Sequence, residues 1–112
     1  DPERVREILR AMAIIARRRQ EGSLGTGLKE AFEGYGVDYR AGIAASTPER
    51  LRDQYRFYLE GGEGVECFEH IALGNTYNPR RCLRIYFSSK LVTDSRFVIG
   101  HVGRHFEVIT ST

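Results

Sequence analysis

No run of about 18 apolar residues occurs in this chain, so nothing in it reads as a transmembrane helix. The apolar part of the first helical segment is broken by Arg10 and ends in Arg17-Arg18-Arg19, and no signal-peptide core precedes it. Cysteine is scarce. Cys67 and Cys82 make no disulfide framework, and their spacing does not fit a Cys-x-x-Cys redox or zinc motif. Both read as reduced strand residues of a cytoplasmic protein. The net charge is only +2, too little by itself to imply a nucleic-acid partner. The glycine-rich stretch Gly22-Ser23-Leu24-Gly25-Thr26-Gly27 lacks the Gly-Lys-Ser/Thr ending of a phosphate-binding loop. It also follows a helix where a dinucleotide fingerprint would follow a strand, so it reads as a flexible interhelical loop. No cofactor is expected. The start at Asp1-Pro2, with no initiator methionine, reads as a piece of a longer chain.

What is present is the composition of one folded unit. The chain has 112 residues, 41% apolar and 29% charged, which argues against disorder. We expect a single α+β domain, helical over about residues 1–62 and β-sheet over about 63–112. Val5, Ile8, Leu9, Met12, Ile15 and Ala16 recur at helical spacing, predicting an amphipathic helix over 3–20. Arg17, Arg18 and Arg19 then fall in its last turn, where positive charge complements the helix dipole. A phosphate-binding patch is the alternative reading of that run. Residues 28–33 predict a short helix stopped by Gly34 and Gly36. Tyr35, Val37 and Tyr39 alternate as a short extended piece would. Ser46 and Glu49 have capping-box spacing, with Pro48 in the first turn, predicting a helix from there to about Leu59 that Gly61-Gly62 ends.

After Gly64 the apolar period changes from 3.6 to 2. Strands are predicted at 65–73, 81–89, 96–102 and 106–110, with turns at 75–79 and 93–95. Helices first and consecutive strands after predict N-terminal helices packed on one face of an antiparallel meander of three to four strands. Side-chain parity sorts the strand residues. Leu83, Ile85 and Phe87 should face the helices with Ile71 and Leu73. His70, Arg84 and Tyr86 should then share the opposite, open face. The parity of Ile99 to His105 stays ambiguous, because apolar residues populate both sides and Gly100 and Gly103 permit a bulge or a close approach.

Residues 70–112 carry six basic side chains against two acidic, a net of +4, and all three histidines. The remainder is net −2, so the C-terminal part is the positive part. In a regular strand His101 and His105 lie about 13 Å apart, too far to share a metal, at roughly 3.3 Å per residue. That leaves a metal-free set of candidates: His70, Arg84, Tyr86, His101, Arg104 and His105. Such a set suits metal-independent RNA cleavage. One group removes the ribose 2′-OH proton, another protonates the departing 5′-oxygen, and a cation stabilises the phosphorane. Histidine titrates near working pH and fits both proton roles.

Helices followed by a meander with Arg, Tyr and His on one face resemble the RelE and barnase-type ribonuclease toxins. The phrase Leu83-Arg84-Ile85-Tyr86-Phe87, then a turn and Phe97-Val98-Ile99-Gly100-His101, looks like the central hairpin of RelE-like proteins. The resemblance covers about residues 63–112. Here the helical part is long and the lysine-rich ending of that family is replaced by Gly100-His101-Val102-Gly103-Arg104-His105. The resemblance implies a toxin or defence-associated endoribonuclease, with Arg84 on the phosphate and His101 or His105 as acid or base. Two other readings stay open. One is a non-catalytic nucleic-acid- or phosphate-binding module of a larger protein. The other is a protein-interaction domain, with aromatic and arginine anchors.

Overall fold

The computed structural model describes residues 2–73, 83–90 and 96–104. Helix α1 (Pro2–Gln20) follows from the apolar stripe, of which Ile8, Met12 and Ile15 are buried; Ala11 joins them, whereas Leu9 is exposed. Helix α2 (Leu28–Gly34) follows the glycine-rich loop. It ends where Gly36 takes a left-handed φ of 71° and the Gly36 and Val37 amides turn back to the Glu33 and Phe32 carbonyls. The chain then enters strand β1 (Asp38–Arg40).

The sheet has four antiparallel strands in the order β1-β4-β5-β6, with β4 at Glu69–Leu73, β5 at Leu83–Ser88 and β6 at Val98–Arg104. β4, β5 and β6 are the expected meander. β1 comes from the half that reads as helical and borders the sheet beyond β4. The expected strand at 106–110, the turns at 75–79 and 93–95, and Cys82 lie outside the described residues.

The region after Pro48 departs from expectation. Helix α3 covers only Glu49–Arg52, with a single 3-10 turn at Asp53–Tyr55, and the chain then forms β2 (Arg56–Tyr58). β2 pairs with β3 (Gly64–Glu66) as a separate two-stranded sheet. Ser46 does not cap the helix; Pro48 holds the N-cap position with no side-chain cap bond. The aromatic residues Tyr55, Phe57 and Tyr58 have high strand propensity. Tyr55 and Phe57 both pack against the main sheet, a demand that alternation satisfies. Gly61-Gly62, which reads as a helix stop, belongs to the hairpin turn. The Gly62 amide bonds the Leu59 carbonyl at 2.8 Å, and Gly62 has a φ of 90°.

The sheet is therefore covered on both faces. On the helix side, Ile8, Met12 and Ile15 meet Phe32, Val37, Ile71, Leu73, Ile85 and Phe87. Phe32 stacks on Tyr39 with ring centroids 5.1 Å apart. Full burial of such side chains stabilises by roughly 1.5–3 kcal/mol each. A polar cluster enters this layer. The Glu69 carboxylate, 3% exposed, accepts hydrogen bonds from the Tyr39 hydroxyl, the Ser89 amide and the Ser89 hydroxyl. Arg19 is not a solvated helix end. Its Nη2 donates to the Ser89 carbonyl at 2.6 Å, and its guanidinium lies over the Phe97 ring. On the other side, Tyr55, Val65 and Cys67 close over Tyr86.

Candidate functional site

β4 and β5 place their candidates as parity predicts. His70 is paired with Tyr86, and Ala72 with Arg84, on the face away from α1 and α2. The ambiguous strand β6 is resolved by a bulge. Tyr86 pairs with His101 and Phe87 with Ile99, which leaves Gly100 as an extra residue between them. In a regular strand Ile99 and His101 would share one face. With Gly100 inserted, Ile99 stays on the helix side, near Leu9, Met12, Ala13 and Ala16, and His101 turns to the side of Tyr86.

The bulge needs glycine because of what packs on it. A Cβ at Gly100 would meet the Phe57 ring at 2.4 Å, so the hairpin packs directly on bare backbone there. Gly103 serves the same histidine. A Cβ at Gly103 would lie 3.0 Å from His101 Nε2, so the imidazole folds along β6 over a position with no side chain. Gly103 is paired with Arg84, so the ring leans toward the row of that arginine.

One row now crosses the sheet: Arg40, His70, Tyr86 and His101. The His70 and Tyr86 ring centroids are 5.1 Å apart, and those of Tyr86 and His101 are 6.1 Å apart. His70 and His101 are both half-buried, whereas Tyr86 is 0% exposed. The neighbouring row is Asp38, Ala72, Arg84 and Gly103.

The expectation of an open face is corrected. Tyr86 lies beneath Tyr55, edge-on at 5.3 Å, and Arg84 is only 6% exposed, with Nη1 donating to the Leu83 carbonyl. The reason is the β2-β3 hairpin, which a helical reading of residues 46–59 hides. The Tyr55 and Tyr86 hydroxyls are hydrogen-bonded; burial first, then Tyr86, push the Tyr55 phenol up to about 12. Of the remaining candidates, the Arg104 backbone stands in β6 opposite Leu83, and His105 lies outside the described residues.

Local contacts bear on the histidine tautomer. His70 Nδ1 is 3.2 Å from the Phe68 carbonyl oxygen. A carbonyl only accepts, so the proton belongs on Nδ1, and in the neutral ring the lone pair is on Nε2.

Three further residues shape this face. Asp38 and Arg40 form a two-point ion pair at 3.0 and 3.2 Å. The Arg40 hydrogen bonds hold the Asp38 carboxyl below its usual value, and the charges of Arg40, Arg84 and His70 act in the same direction. Cys67 is fully buried beside the bulge, with Sγ 3.6 Å from the Val98 carbonyl. Burial, with the Glu69 charge adding to it, pushes its thiol up to about 11, although the Gly100 backbone opposes the shift. Asp38 and Arg40 were within reach of sequence parity, since Tyr39 alternates with them. Cys67 gives no such signal.

Among the described residues no group of three or more His, Cys, Asp or Glu side chains is placed to hold a metal ion. No described helix is long and apolar enough to cross a membrane. No protein-family model, curated protein or solved structure matches the chain.

Proposed function

We propose that this chain is a metal-independent endoribonuclease domain of the toxin or defence-associated kind. The observation that carries the reading is the row in which His70 and His101 flank Tyr86 from the two adjacent strands. Two half-exposed imidazoles on either side of a buried phenol supply two proton-transfer groups on a fixed floor. His70, with its Nε2 lone pair, takes the proton from the ribose 2′-OH. The 2′-oxygen attacks phosphorus and the bond to the 5′-oxygen breaks. Protonated His101 gives its proton to that oxygen. The products are a 2′,3′-cyclic phosphate and a free 5′-OH.

Tyr86 is the floor of the site rather than a group in contact with RNA, because it is sealed by the hairpin. Arg84 contributes positive potential from just beneath the surface; its charge reaches as far as Asp38. Arg104 and His105, next along the chain, are the candidates for direct contact with the phosphate. The test is incubation of the purified protein with RNA in EDTA. The expected result is cleavage to 2′,3′-cyclic ends that falls about 10²- to 10⁴-fold in His101→Ala. Intact RNA in every substrate tried would refute the reading.

A further inference from the structure

We infer that Arg40 extends this row into a track for the RNA backbone and holds the phosphate next to the scissile one, with Asp38 competing for the same guanidinium. The inference rests on the proposed nuclease reading for the position of the scissile phosphate, but not for the binding of RNA.

Arg40 pairs with His70 across the β1-β4 ladder, as His70 pairs with Tyr86 and Tyr86 with His101. Adjacent strands are about 4.8 Å apart, so the row is about 14 Å long from His101 to Arg40. Tyr86, between the histidines, lies under Tyr55, so RNA reaches the row at its uncovered border, where exposed Arg40 stands beside half-buried His70. Arg40 is well placed to receive it. β1 is an edge strand of only three residues, and the Arg40 side chain is 57% exposed. Its neighbour Tyr39 faces the helices, so Asp38 and Arg40 both belong to the histidine face. Opposite Asp38 stands Ala72, whose small side chain raises no wall between the two rows.

The Asp38 carboxylate takes two of the five guanidinium donors, through Nε and Nη2. A phosphate can use the others or displace the carboxylate. Asp38 therefore weakens the track while it orients the arginine, and the two residues should act with opposite sign. Neither residue carries a structural burden in the core, since both are exposed.

The experiment uses a labelled RNA octanucleotide and protein carrying His101→Ala, so that binding is read without cleavage. Affinity is measured across a salt series. Arg40→Ala should weaken binding about fivefold and lower the salt slope by about 0.7, the value for one phosphate contact on a single strand. Asp38→Asn should tighten binding about threefold, within the modest range of an exposed ion pair. Arg10→Ala, the same charge change on α1 at the other side of the sheet, is the control and should shift neither quantity comparably. The inference is overturned if Arg40→Ala behaves like Arg10→Ala, if Asp38→Asn weakens binding, or if RNA is not bound. In protein that retains His101, and so cleaves, the Arg40→Ala loss should fall on KM rather than kcat. RNA that binds with the expected Arg40 and Asp38 effects, yet is never cut, sustains the track and refutes the nuclease.

Discussion

The two faces of the central sheet are built from the same strands and solve different problems. On the helix side, Ile71, Leu73, Ile85 and Phe87 meet the α1 stripe in an apolar layer. On the hairpin side, the same strands present His70, Ala72, Arg84 and Tyr86, under a thin lid of one short hairpin. The first face gains its stability from area removed from water. The second buries a smaller apolar cluster around Tyr55, Cys67 and Tyr86 and also sets polar groups in register. The difference locates the fold on one side of β5 and the candidate chemistry on the other. Strand β5 itself is buried on both.

Substitutions can break this division in order of expected size. Phe87→Ala, on the helix side, should cost about 3–5 kcal/mol by urea unfolding, as truncation of a fully buried aromatic does. A cost below 1 kcal/mol would mean that the helix-side layer does not carry the fold. Gly100→Ala should cost about 1–3 kcal/mol, because a Cβ there drives into the Phe57 ring. Phe57→Ala in the same chain should recover much of that loss, since the two positions are in contact and their effects should not add. Additive losses would show that the hairpin does not sit on the bulge. The smallest effect is on reactivity alone. Cys67, with its thiol raised from 9.0 to about 11, should alkylate on the order of a hundredfold slower than a thiol of ordinary pKa at pH 8.5, read peptide by peptide. Equal labelling of native and unfolded protein would place the sulfur outside the core.

Much of the helix-side face was legible because burial leaves a period in the sequence. The α1 stripe and the parity of Ile71, Leu73, Ile85 and Phe87 follow from spacing alone. The hairpin side was less legible for identifiable reasons. A helix does begin after Pro48, though without the Ser46 capping box, and its continuation is decided by Tyr55 and Phe57 packing on Tyr86 and Gly100. Those are tertiary contacts that no local pattern encodes. The face of His101 is likewise set by one inserted residue. The pair of glycines permits a bulge, but only pairing with β5 shows that Gly100 takes it. Arg40 was missed because β1 is three residues long and joins the sheet from a distant part of the chain.

The central claim is that His70 and His101 act as a pair across Tyr86. The pH dependence of RNA cleavage by the intact protein tests it most directly. The account predicts a bell-shaped profile. In the residual cleavage that each variant retains, His70→Ala should remove the acidic limb, where a base must lose its proton, and His101→Ala the alkaline limb, where an acid must keep one. A profile with both limbs unchanged in either variant would contradict the pairing.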